Sequence, residues 1–339
     1  MTRRYELDLC RILACLMVVM IHLSGSGWHI DPASGAWRVY NLVHTAVRAG
    51  IPLFFMISGA LFLEREELDL GRLVRRNLVR LLAVYLCWDL LYELVTQAVS
   101  APYHSVGEFL VGMTYGHYHL WFLPAMLTIY LVLPILHGAL HGRAVSIPFL
   151  LAVFGLIFLK GTLLLLPDPP LALTQVLGKL DLSNLKYLAY VLLGWWLSRR
   201  QWGPRARWGC AAGFLACVAL MAYGNRQLSL AHGEPTGWFN DYFGLPILLA
   251  SCCVFCFCLT FRGMELSTAP GRIIRELSAC TLGVYLLHPF VLESLGRMGV
   301  SVNDYSPFAG LPLLFFLIVV PSFLAVFLLR RIPGLRLIV

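Results

Sequence analysis

The chain has 339 residues, 59% of them hydrophobic and 13% charged, with a mean hydropathy of +0.76 and a formal net charge of +8. Soluble domains carry roughly a quarter charged residues, so this composition excludes a soluble globular protein and indicates a polytopic membrane protein. Apolar runs near the ~20 residues that cross a bilayer occur at 6–26, 42–63, 77–99, 118–137, 145–166, 184–198, 208–224, 241–261, 277–296 and 308–329, the sixth and seventh being short. The expected fold is all-α, a polytopic integral membrane helical bundle of about ten transmembrane helices in a single domain over 1–339.

Polar, Gly- and Pro-bearing strings at 167–184 and 224–241 read as loops. Lysine and arginine stay preferentially in cytoplasmic loops. With the N-terminus inside, 18 of the 26 basic residues fall on the cytoplasmic side, so both termini are expected there. The positive charge is then a topological asymmetry and implies no nucleic-acid partner. The first run is no cleaved signal peptide on this reading, because Asp8 and Arg11 interrupt its flank and further apolar runs follow. The ten cysteines lie in or beside apolar runs, so no structural disulfide is expected. Cys252, Cys253, Cys256 and Cys258 have no histidine or carboxylate nearby and read as small packing residues, not metal ligands.

The first run contains "RILACLMVVMIH", with Arg11 and His22 at its ends. On an α-helix eleven residues make close to three turns, which places both side chains on one stripe about 16 Å apart along the axis. Asp8 lies one turn before Arg11. Ionisable groups at such depths are costly and mark function by default. The structural alternatives are an arginine that snorkels to the inner interface and a histidine that hydrogen-bonds across a helix interface.

The R-x10-H pattern resembles the signature of the membrane acyltransferase-3 family. The resemblance continues in order through "IPLFFMISGALF" (51–62), "LVRRNLVRLLAVYLCW" (73–88), "HLWFLPAM" (119–126), "YLAYVLLGWWL" (187–197) and "LSACTLGVYLLHPF" (277–290). Among members the chain looks most like the enterobacterial-common-antigen O-acetyltransferase type. The resemblance implies an enzyme of the bacterial inner membrane that uses acyl-CoA, in the first place acetyl-CoA, as co-substrate and no metal. It would O-acylate a cell-surface glycan or a lipid-linked glycan. Histidine suits this chemistry, since it can take a hydroxyl proton or carry an acyl group near neutral pH. His22 is the first choice, with Arg11 holding part of the pantetheine arm.

Coenzyme A carries several phosphate charges. Arg72, Arg75, Arg76 and Arg80 open the third run, with Arg72, Arg76 and Arg80 on one α-helical face, and guanidinium groups grip phosphate bidentately. Positive-inside anchoring is the alternative for each. His288, with Tyr285 a turn earlier, reads either as a second active-site histidine or substrate contact or as a structural hydrogen-bonding group. Ser58 and Gly59 read as close-packing residues. Asp89 and Glu93 either orient an imidazole and bind sugar hydroxyls or pair with Arg48 or Lys186. Tyr103, Trp238 and Tyr242 offer aromatic faces to a sugar or anchor the interface. A proton-coupled transporter or flippase of sugars or glycolipids is the rival class, without the matched broken helices that would favour it. A metalloprotease is not indicated: "HYH" at 117–119 has no suitable third ligand.

Overall fold

A computed structural model describes residues 3–99, 105–142, 147–149, 152–153, 175, 178–179, 182–264 and 266–339. All regular structure among them is helical. The long helices begin with α1 (Tyr5–Ser26), α2 (Gly35–Val47) and α3 (Gly50–Phe62). A turn at Leu70–Arg72 and a π-helical stretch at Leu73–Val79 lead into α4 (Arg80–Val99). There follow α5 (Val106–Tyr115), α6 (Phe122–Leu140), α7 (Leu188–Ser198), α8 (Ala206–His232), α9 (Leu245–Leu259), α10 (Thr268–Arg297) and α11 (Pro307–Leu329).

Six helices among the described residues are long and apolar enough to cross a membrane: α1, the continuous Gly35–Phe62 segment of α2 and α3, α6, α8, α10 and α11. The other expected spans differ in ways the residues explain. The run at 145–166 lies largely outside the described residues. Helices α7 and α9 are only 11 and 15 residues long, and α4 carries Asp89 and Glu93 among its apolar residues. The seventh run, expected to be short, is instead the 27-residue α8, which continues through much of the string read as a loop at 224–241. The cause is a buried polar seam. Asn225 donates to Asn240 Oδ1 at 3.1 Å and accepts from the Phe239 amide at 3.0 Å, so its amide is satisfied inside a helix. The helix stops only at Gly233, whose φ of +74° suits a residue without Cβ.

The chain divides into two compact units. The first comprises Met1–Ala60, Tyr190–Leu337 and Val339. Within it α1 packs along α10 and α2, α8 pairs with α9, and α10 with α11. The contact face of α1 is built from Cys10, Ala14, Cys15, Val18 and Val19, all buried. Small side chains let helix backbones approach, which is how helices associate where lipid removes the hydrophobic drive. Close approach is extreme between α3 and α7: a Cβ on Gly59 would collide with the Val191 carbonyl, and one on Gly194 with the Met56 backbone. The expected packing role of the Ser58–Gly59 pair is therefore what the backbone requires, and Ser58 returns its hydroxyl to the Phe54 carbonyl at 3.0 Å.

The second unit comprises Leu61–Ala189 and Ile338. In it α4 packs on α5 and α6, and α6 on a 3-10 turn at Leu182–Tyr187.

Candidate active site

At the N-terminal end of α1, buried Asp8 gathers three partners. Arg3 Nε donates to its Oδ2 at 2.7 Å, Ser278 Oγ donates to its Oδ1 at 2.7 Å, and Arg11 Nη1 lies 3.6 Å from Oδ1. Arg11 Nη1 also donates to Ser278 Oγ at 3.3 Å, so the arginine ties α1 to α10. Its side chain keeps 30% of its surface exposed, which leaves room for a further contact. Glu6, likewise buried, takes Arg4 at 2.7 Å and Arg262 at 3.7 Å. Carboxylates in the first turn suit the positive end of the helix dipole.

Three turns on, α1 presents His22 to α10. Its ring lies 5.2 Å from that of His288, tilted by 40°. His22 is half-buried and His288 fully buried. His288 Nδ1 lies 3.1 Å from the Val284 carbonyl oxygen on its own helix. A carbonyl only accepts, so the proton sits on Nδ1 and Nε2 is the basic nitrogen of the neutral ring. Tyr285, also buried, has its ring 6.2 Å from that of His288. Pro289 follows within α10. The α-helical period of 3.6 sets Tyr285 beside His288 as their spacing suggested, and the packing of α10 on α1 pairs His288 with His22.

A third imidazole stands near this end of α1: His44 on α2 is held by Ser24. The Ser24 hydroxyl donates to the Met20 carbonyl at 2.6 Å, so it accepts from His44 Nδ1 at 3.0 Å. Nothing in the sequence motifs singles out His44. The signal that would have found it is its place on α2, the helix that follows α1 after a short connection.

The remaining predicted residues are placed as follows. Arg75 and Arg76 lie in the π-helix, and Arg72 and Arg80 flank it; all four are exposed. Its i→i+5 turns are wider than α turns. Arg72 sits 3.8 Å from Asp69, the residue that caps the preceding turn. Asp89 is buried in the second unit and Glu93, a turn later, is half-buried. Lys179 is a cation that acts on Asp89. Arg48 donates from Nη2 and Nε to the Asn240 carbonyl at 2.8 and 3.0 Å. Its guanidinium also covers one face of the Tyr242 ring at 4.0 Å. Trp238 is 76% exposed, and Tyr103 lies outside the described residues.

Residues 4–331 match the family model described as an acyltransferase domain, acyltransferase-3. The chain belongs to this acyltransferase-3 family. The match runs across both compact units and does not single out the enterobacterial-common-antigen type. No curated protein and no solved structure matches the chain. Membership of the acyltransferase-3 family and six spanning-length apolar helices make it a multi-pass membrane acyltransferase.

For an acyltransferase, imidazoles on facing helices are groups of the kind that take up and release protons in general acid–base catalysis. Among the described residues of the first unit, His22 and His288 are brought together, while Arg11 stands three turns away in its own polar cluster.

Proposed function

We propose that this chain is an acyl-CoA-dependent O-acyltransferase, in the first place an O-acetyltransferase, of a bacterial inner membrane. The acceptor is a hydroxyl of a cell-surface glycan or its lipid-linked precursor. The observation that carries the reading is the His22–His288 pair, with rings 5.2 Å apart, inside a chain of the acyltransferase family.

As the acceptor oxygen attacks the thioester carbonyl carbon, its proton passes to His22. The carbon–sulfur bond breaks, and the departing thiolate takes a proton, so that an ester and free coenzyme A result. In the two-step version a His22 nitrogen attacks first and carries the acyl group to the hydroxyl. His288, with its proton held on Nδ1, sets its basic Nε2 nitrogen in the neighbourhood of His22. Arg11 serves the pantetheine arm, and Arg72, Arg75, Arg76 and Arg80 serve the phosphates, where planar guanidinium forks suit phosphate oxygens. The fold that goes with this reading crosses the membrane about ten times with both termini cytoplasmic, in keeping with the bias of arginine along the chain.

The deciding experiment uses purified protein with acetyl-CoA and longer acyl-CoAs side by side, and follows thiol release with and without a glycan acceptor. Acceptor-stimulated release that vanishes in His22→Ala supports the proposal. Absence of thiol release with every donor and acceptor rejects it.

A further inference from the structure

The first unit carries an apolar groove of about 740 Å3 that acyl transfer at the histidines leaves unassigned. Val39 and Leu42 of α2, Leu311 and Phe315 of α11 and Met20 of α1 line it. Tyr40 Oη donates to the Val302 carbonyl at 3.0 Å, which ties the chain just before α11 to α2 and sets the starts of the two helices side by side. Both helices belong to segments of spanning length, and α11 has no charged residue from Pro307 to Leu329. Leu42 and Phe316, at the groove, are 50% and 64% exposed. On membrane-spanning helices such an apolar surface faces hydrocarbon, so the groove opens to lipid.

Arg38 is the charged residue in its lining. It stands in the first turn of α2, and a Cβ on Gly35 would lie 3.5 Å from its Nη2, so the guanidinium turns back to the start of the helix, at one end of the groove. Other arginines of the unit are spent on the protein itself: Arg48 on the Asn240 carbonyl, Arg207 on Thr260 and Arg262 on the Ser198 carbonyl. Among the described residues the Arg38 side chain has no such hydrogen bond and no ion pair. The first turn of α2 holds no acidic residue. A cation there stands against the helix dipole, a cost that an anion beside it offsets.

These features select a ligand. A cation at one end of an apolar track suits an amphiphile with a negative head and a hydrocarbon tail. The planar guanidinium fork suits phosphate oxygens in particular. Nine helical rises from Pro307 to Phe316 give a track of about 14 Å, and the volume falls within the ~300–1,000 Å3 of small-molecule sites. A zwitterionic headgroup supplies its own cation, whereas the phosphate of an anionic one is left for the protein to match. We propose that the groove binds one anionic phospholipid of the bilayer, its phosphate on Arg38 and one acyl chain between α2 and α11. This lipid is a resident of the membrane, separate from the donor and the acceptor of acyl transfer, and its binding rests on the spanning helices and not on the acyltransferase reading.

The test is native mass spectrometry of the full chain, stripped of lipid in detergent and titrated with phosphatidylglycerol or with phosphatidylcholine of the same chains. Arg38→Ala should weaken the binding of one phosphatidylglycerol by about fivefold, the scale of one arginine acting on an anionic lipid, and leave phosphatidylcholine binding unchanged. Arg38→Lys, which keeps the charge, should stay close to wild type. Leu42→Trp fills the groove from a side chain that the fold leaves exposed, and should remove the same lipid, so the double variant loses no further one. Glycerol phosphate, a head without chains, should not compete. Thermal melting screens each variant for folding, and Val39→Trp serves if Leu42→Trp fails to fold. Unchanged phosphatidylglycerol binding in folded Arg38→Ala protein overturns the proposal, as does an equal loss of phosphatidylcholine or additive losses in the double variant. Competition by glycerol phosphate, tighter binding of a polyprenyl phosphate at this site, or a dimer that Leu42→Trp splits also overturns it.

Discussion

His22 and His288 make distinct predictions because their surroundings differ. His22→Ala should leave the fold intact and lower transfer at least ~100-fold, the scale of a general acid–base contribution; retention of a tenth of the activity in a transfer assay would return His22 to a packing role. His288 is already anchored by the bond from Nδ1 to Val284. Asparagine can reproduce that donor but has no basic nitrogen. His288→Asn should therefore keep the melting temperature near wild type while lowering turnover at least tenfold; unchanged turnover would show that the histidine is structural. The R-x10-H spacing made the His22 position legible from sequence, and a helical turn linked Tyr285 with His288. The meeting of His22 and His288 was not legible. They come from two helices, and no periodicity within one segment reports which neighbour it packs against.

At the scale of elements, the π-helix at Leu73–Val79 displays its arginines on a wider turn than an α-helix would. Replacing Arg76 or Arg80 by Ala should raise the Michaelis constant for acyl-CoA several-fold and leave that for the glycan unchanged. Lysine should restore only part of the affinity, since a point charge replaces a planar fork. Equal weakening toward both substrates would instead favour membrane anchoring. The α3–α7 crossing makes a stability prediction. Gly59→Val or Gly194→Val forces side-chain atoms into backbone, so each should cost at least the ~1–3 kcal/mol of overpacking and lower the melting temperature in detergent. Apolar periodicity located most helix centres, but not the ends of α8. Asn225 and Ser229 look like loop residues in one dimension and are buried and bonded in three.

At the scale of the whole molecule, the proposed function takes the arginine-rich side as cytoplasmic, where the proposed donor is made. The expected outcome in vesicles of known orientation is acylation with acetyl-CoA supplied only on the arginine side and glycan only on the other. Product that forms only when both substrates share the arginine side would reject transfer across the membrane and leave the acyltransferase activity standing.

Composition and hydropathy by themselves determined that this chain is helical and embedded, because a bilayer demands long apolar segments with every backbone group satisfied inside the helix. Motif order along the chain was enough to indicate the family. The tertiary structure alone decided which polar groups meet. It paired His22 with His288, set Lys179 to act on Asp89, spent Arg48 on Asn240 and Tyr242, and placed Arg38 at an apolar groove. The reason is physical: burial in an apolar medium forces each polar side chain to seek a partner, and the partners lie on other helices, whose order in space the order of residues does not state.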